Sequence, residues 1–253
     1  MAFDLDYCFV VLKVNTVDAE LCLRYDMPME KLSTQQKFLL SHPLVIQARE
    51  YAKAAHESID QRRNHTNLPY MTHPIAVARI VAGTSMAQGV HGPEAVAAAM
   101  LHDVIEDVVR HKDRPEADRE RMMLEIKSRF PFLVVKHVLE VTNVATHADR
   151  NRATRCQINK QHIIETSPLG ATIKYADINH NVHDILEHDP QFALTYLPEK
   201  ADVVFSAAQG DHDLRMQTVA LLIKSMESLI PTAGSKFVGR LKQSVRNLQS
   251  IRS

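Results

Sequence analysis

The run Ala97–Asp107, A-A-A-M-L-H-D-V-I-E-D, limits what this chain can become more than any other stretch, because it sets one imidazole and three carboxylates into an otherwise apolar segment. Wound as a helix at about 100° per residue, it places Val96, Met100, Leu101, Val104, Ile105 and Val108 on one half of the surface. His102, Asp103, Glu106 and Asp107 share the other half. A solvated polar face would account for such a run taken alone. Acidic groups at that spacing repel one another, however, and a divalent cation rewards the arrangement directly.

The surrounding composition favours an all-α protein. Only 7 of 253 residues are glycine, aromatics make up 6%, and long Ala/Leu/Val/Ile/Met-rich segments recur at helical spacing. Basic and acidic residues balance at 30 each, which gives no reason to expect nucleic acid or a membrane as partner and leaves room for a local basic pocket facing a small anion. Cys8, Cys22 and Cys156 have no C-x-x-C spacing, so we expect reduced thiols, no thiolate metal site and a cytoplasmic location. The start, M-A-F-D-L-D, is acidic where a signal peptide is basic, and the apolar run Tyr7–Val14 is too short to span a bilayer.

Taken in order, residues 1–42 read as an N-terminal extension, with a short strand at Cys8–Leu12 and helices at Val17–Arg24 and Lys31–Leu40, the last capped by Ser33 or Thr34. A domain spans residues 43–230. Its first helix runs from Pro43 to about Ile59 with Val45, Ala48, Ala52 and Ala55 on one face. A polar loop, 60–70, leads to Thr72-His73-Pro74, where Pro74 opens a helix to Gly83 and His73 sits just before it. After Gly89 and Gly92, Pro93 starts the central helix. We expect Arg110–Arg121 to be a loop or lid, followed by helices at Arg121–Phe130, Phe132–Val141 and Cys156–Glu165. Arg150, Arg152 and Arg155 are either solvated or turned towards a pocket. Ser167–Gly170 reads as a turn before a long helix, Ala171–Leu186, on which Lys174, Asp177, Asn181 and Asp184 share a face. Helices at Glu199–Ala208 and Asp213–Ile230 close the bundle. Residues 231–253 form a linker and a basic amphipathic helix with Phe237, Leu241, Val245 and Leu248 as its apolar side. We expect it to pack on the bundle or on a second copy in a homo-oligomer, ahead of any nucleic-acid role.

Three separated places offer hard or borderline ligands: His73, the pair His102-Asp103, and Asp177. Two imidazoles and two carboxylates without sulfur suit a six-coordinate divalent ion such as manganese, with iron, magnesium and zinc as alternatives. Glu106, Asp107 and Asn181 beside them make the set specific.

On these motifs the sequence resembles the metal-dependent HD phosphohydrolases, and within them the hydrolase domain of RelA/SpoT-type alarmone enzymes and their small stand-alone relatives. The resemblance runs from about Leu44 to Ala220 and rests on Q-R-R-N…L-P-Y-M-T-H-P-I-A-V-A-R-I at 61–80, A-A-M-L-H-D-V-I-E-D at 98–107, L-E-V-T-N at 139–143 and I-K-Y-A-D-I-N-H-N at 173–181. It implies an HD-domain helical bundle with a metal site in its core. The metal ligands would be His73, His102, Asp103 and Asp177; the catalytic acidic pair would be Glu106 and Asp107, with Asn181 supporting the site. Arg63 falls where the family holds the nucleotide, and Tyr70 and Lys174 fall on further pocket positions. The implied reaction releases pyrophosphate and GDP or GTP from the 3′-diphosphate of guanosine alarmones, and no second stretch is long enough for an alarmone synthetase. Departures cluster around the substrate: Asn64 replaces a lysine, Asn67 a glycine, and Ile178-Asn179 a basic-then-leucine pair. Asn67 is mild because asparagine tolerates positive φ. The lost lysine charge keeps two other readings in view: hydrolysis of another nucleotide, such as an adenosine alarmone or a dinucleotide phosphate like NADPH, and a nucleotide sensor without turnover.

Overall fold

The computed structural model describes residues 31–108, 115–146 and 148–251. The strand expected at 8–12, the helix expected at 17–24 and the stretch 109–114 lie outside the described residues. Among those residues the chain is all-α, with one isolated antiparallel bridge, between Arg62 and Pro69.

Helix α1 (Thr34–Leu40) begins in a reciprocal cap: Ser33 Oγ accepts from Gln36 N at 3.1 Å, and Ser33 N donates to Gln36 Oε1 at 2.9 Å. Helix α2 (Pro43–Glu57) buries Val45, Ala48, Ala52 and Ala55, the face its spacing predicts. After the loop come α3 (Thr72–Ala82), a 3₁₀ turn (Ser85–Ala87), α4 (Gly92–Leu101) and the short α5 (Val104–Asp107). Then follow α6 (Pro115–Arg129), α7 (Phe132–Val141), α8 (Arg152–Ile164) and the long α9 (Pro168–His188). Helices α10 (Pro190–Ser206), α11 (His212–Leu229) and α12 (Ser235–Gln249) complete the order.

Two helices form the spine. Ala95 to Leu101 are buried without interruption, so α4 is enclosed on every side by α2, α3 and α7. Its small side chains let those neighbours approach closely. Gly92 is needed where α4 begins, since a Cβ there would lie 2.3 Å from the Ala87 carbonyl oxygen. The second spine, α9, lies against α3, α7, α10 and α11. Leu241, Val245 and Leu248 of α12 are buried where that helix lies on α10 and α11 of the same chain, which is the packing its apolar stripe predicts. No described helix is long and apolar enough to cross a membrane.

The structure corrects several expectations. The central helix is not continuous: α4 ends at Leu101, and His102 and Asp103 form a turn before α5. His102 Nδ1 lies 2.8 Å from the Ala99 carbonyl oxygen, and a side chain that takes a helical acceptor competes with the backbone ladder. His73 lies inside α3 rather than before it, because the helix already begins at Thr72. The charged stretch expected as a loop or lid to Arg121 is helical from Pro115, with Glu116 and Asp118 in the first turn, where acidic groups favour a helix start. Ser167–Gly170 is the cap and first turn of α9, since Ser167 Oγ accepts from Gly170 N at 3.3 Å. Helix α8 starts at Arg152, four residues earlier than expected, because Asn151 Oδ1 caps it. Pro198 lies within α10 without ending it; the buried Ala193, Leu194, Tyr196 and Leu197 around it outweigh the lost backbone bond.

Candidate metal centre and its cleft

Four side chains from three separated segments converge. His73 comes from the first turn of α3, His102 and Asp103 from the turn between α4 and α5, and Asp177 from the middle of α9. His73 Nε2 lies 3.2 Å from His102 Nε2, 3.4 Å from Asp103 Oδ2 and 3.3 Å from Asp177 Oδ1. His102 Nε2 lies 3.1 Å from Asp103 Oδ2 and 3.9 Å from Asp177 Oδ1. Both imidazoles are buried. His73, His102 and Asp103 together form a group that could hold a metal ion, with Asp177 Oδ1 beside it.

The surrounding bonds orient those atoms for the purpose. With the Ala99 carbonyl on its Nδ1, His102 turns Nε2 towards the centre. The Nδ1 atom of His73 meets Nδ1 of His180 at 2.9 Å, which leaves His73 Nε2 facing inwards. Burial, then the neighbouring His73 and Arg63, push the His180 imidazole down to about 2, so it stays neutral and can accept that bond. Tyr70 donates its hydroxyl to Asp103 Oδ2 at 2.7 Å. Lys174 Nζ donates to Asp177 Oδ2 at 3.0 Å, and Asn181 Nδ2 donates to Asp177 Oδ1 at 2.6 Å. Burial alone would raise Asp177, but the Lys174 ammonium outweighs it and holds the carboxylate ionised. Burial likewise pulls His102 down, yet Asp103 outweighs it and raises the imidazole to about 9. The centre thus favours positive charge, and a buried set of two nitrogens and two oxygens without sulfur fits a hard or borderline divalent cation.

Glu106 and Asp107, one turn beyond Asp103, are held differently from each other. Asn143 grips both Glu106 carboxylate oxygens, its backbone amide donating to Oε2 at 3.0 Å and its side-chain amide to Oε1. Asp107 Oδ2 accepts from Gln61 Nε2 at 2.9 Å, and Gln61 Oε1 lies 2.6 Å from His56 Nδ1. Burial, then the charge of Asp103, raises Asp107 to about 7.

A cleft of about 460 Å³ opens beside this pair. Glu106, Asp107, Lys174 and Asn143 line it, with Arg119 from α6, Arg152, Arg155 and Lys160 from α8, and Glu199 and Lys200 from α10. Of the expected pocket residues only Lys174 lines it. Arg63 instead donates through Nη2 to Asn181 Oδ1 at 3.0 Å and to Asp184 Oδ2 at 2.5 Å, and Tyr70 is engaged by Asp103. Arg152 and Arg155 do reach the cleft. The departures at Ile178 and Asn179 lie away from it: Ile178 is in the core and Asn179 donates to Thr218 Oγ1 at 3.5 Å. Asn67 adopts φ 57°, as its residue type allows. Sequence reasoning did not single out Gln61, Asn143, His180, Arg119, Glu199 or Lys200. Gln61, Asn143 and His180 lie inside the recognised motifs, which was the available signal; the other three had none.

Residues 48–165 match the HD domain family. The guanosine-3′,5′-bis(diphosphate) 3′-pyrophosphohydrolase MESH1 of Xenopus tropicalis is 27% identical over 148 residues, covering 58% of this chain and 73% of that protein. Its Homo sapiens counterpart is 26% identical over 147 residues, covering 58% and 72%. A solved structure described as "A metazoan ortholog of SpoT hydrolyzes ppGpp and plays a role in starvation responses" is 20% identical, covers 81% of this chain and 95% of its own, and superposes with a TM-score of 0.47. The residues that match the HD domain family include His73, His102 and Asp103, and the chain is similar to the 3′-pyrophosphohydrolases MESH1 over more than half of its length.

Proposed function

We propose that this protein is a divalent-cation-dependent hydrolase of guanosine alarmones, releasing pyrophosphate from the 3′ position of guanosine 3′,5′-bis(diphosphate) and its triphosphate analogue and leaving GDP or GTP. The observation that carries the reading is the meeting of His73, His102, Asp103 and Asp177 next to an acidic pair and a cation-lined cleft. The relatives MESH1, named for this reaction, supply the substrate class.

In this reading the four side chains hold a cation, most fittingly manganese given two nitrogen and two oxygen donors. Such an ion, when bound, supplies Lewis acidity at a phosphoryl oxygen and makes a bound water more acidic. The protein's own groups do the rest. Glu106, with both oxygens held by Asn143, is an oriented carboxylate that positions the attacking water and takes its proton as the water oxygen bonds to phosphorus and the bond from phosphorus to the ribose 3′-oxygen breaks. Asp107 supplies the other proton. Its Oδ2 is engaged by Gln61, so Oδ1 carries the proton and hands it to the departing ribose 3′-oxygen, a role that a carboxyl raised to about 7 can fill near neutrality. Lys174 orients Asp177 from the cleft side while Tyr70 orients Asp103 from the other. Arg63 acts on the site through Asn181 and Asp184, and reaches the nucleotide only if it leaves Asp184.

Incubating purified protein with manganese and guanosine tetraphosphate tests this reading directly, with pyrophosphate release the expected result. Turnover confined to an adenosine alarmone or NADPH would replace the substrate assignment, and tight binding without turnover would mark a sensor. Asp103→Ala should lose cation binding and activity together. Glu106→Ala should retain the cation and slow turnover by roughly a hundredfold, as loss of a proton-handling or water-positioning group does.

A further inference from the structure

The cations lining the cleft differ in how their charge is met. Arg152 forms a two-pronged pair with Glu199, at 3.0 and 2.7 Å; Lys160 pairs with Asp202 at 2.8 Å and Lys174 with Asp177 at 3.0 Å. Arg155 donates to the Arg150 carbonyl at 3.2 Å, which is a weaker match for its charge. Arg119 likewise donates only to a carbonyl, that of Asn143 at 3.1 Å, whereas Lys200 differs from all of these in making no hydrogen bond at all among the described residues. Among the described residues no carboxylate lies within 4.0 Å of its ammonium, which hangs 5.2 Å from the centre of the Tyr196 ring. Tyr196 is itself buried, so the lysine stem packs in the protein while its charged end faces the cleft.

We propose that Lys200 binds a second phosphate group of the substrate, separate from the one that reaches the histidine–aspartate centre, and so selects nucleotides phosphorylated at two positions. This rests on the hydrolase reading for the identity of the nucleotide, in which the second group is the 5′-diphosphate. A cleft of about 460 Å³ has room for a whole nucleotide, and a half-buried ammonium without a carboxylate partner gains most from an anion. Burial and the neighbouring Lys174 both lower the Lys200 ammonium, and a phosphate would relieve both effects. Glu199, the preceding residue, keeps Arg152 occupied, so Lys200 is the side chain of this pair of α10 residues left to meet a ligand.

The test compares two nucleotides in equilibrium titrations with chelator present, where no turnover occurs: guanosine 3′,5′-bis(diphosphate), and guanosine 3′-diphosphate with a free 5′-hydroxyl. Lys200→Met, which keeps the stem and removes the charge, should weaken the first roughly tenfold or more and leave the second within about twofold. Lys200→Arg should recover most of the loss. Unchanged binding of the bis(diphosphate), or equal weakening of both nucleotides, overturns the assignment. A parallel assay with manganese decides the reaction independently: if wild-type protein releases no pyrophosphate, the hydrolase reading fails while the titrations still judge Lys200. If turnover proceeds, Lys200→Met should raise KM for the bis(diphosphate) with kcat within about twofold.

Discussion

His102 interrupts the helix that carries it. Its Nδ1 lies against the Ala99 carbonyl, which both ends α4 and aims Nε2 at three other donors. The sequence indicated which residues would meet: His73, His102, Asp103 and Asp177 all stand out by type and motif. It did not indicate their partners. Tyr70 and Arg63 both come from the loop before α3, yet one holds Asp103 and the other Asp184, because a polar side chain bonds whatever the fold sets within about 3 Å and spacing along a chain does not encode that. At this scale Asp107 makes a testable prediction about pH. Its folded form keeps the proton up to about 7, against 3.8 ordinarily, so it stabilises the cation-free protein fully only below pH 3.8, and this contribution fades as pH rises through 7. In chelator, Asp107→Asn should therefore differ little from wild type in Tm below about pH 3.8, melt increasingly higher as pH rises from there, and reach a constant gap of several degrees above pH 7. A difference that does not change with pH would show that the raised titration is absent.

Helix α9 carries Lys174, Asp177, Asn181 and Asp184 along one face, and its position is set at its first turn. Ser167 Oγ accepts from Gly170 N and donates to Glu140 Oε2 at 2.7 Å, while Glu140 also bonds His137 at 2.7 Å, so α7 and α9 are tied at this corner. The alternation of Lys174, Asp177, Asn181 and Asp184 was legible from period alone. The cap was not, because S-P-L-G reads equally as a turn or as a helix start. Ser167→Ala should cost about 0.5–2 kcal/mol, a fall in Tm of a few degrees by calorimetry, with kcat within about twofold, since Asp177 lies almost three turns further along. A tenfold loss of kcat would instead mean that the corner sets the site geometry.

At the scale of the molecule, α12 closes the far side of the bundle, where Leu241 and Leu248 are fully buried against α10 and α11. Leu241→Ala should destabilise by about 2–5 kcal/mol, read from denaturant midpoints, while pyrophosphate release at low temperature persists. The centre, by contrast, ties α3, α9 and the α4–α5 turn into one unit, so a cation that binds only the folded chain should stabilise the whole. Manganese at 100 times its Kd should add about 2.7 kcal/mol, raising Tm by several degrees in wild type and not in Asp103→Ala. Equal shifts in both proteins would place the ion elsewhere.

The sequence by itself determined the helical class, the apolar faces of α2 and α12, and the residue types that gather at the centre, because periodicity and donor chemistry are local properties of a chain. Only the tertiary structure decided that His102 ends a helix, that Arg63 is spent on Asp184, that Asn143 and Gln61 hold the acidic pair, and that Lys200 faces the cleft. Each of those facts depends on which distant segment lies across from it, and that is settled by packing of the entire bundle.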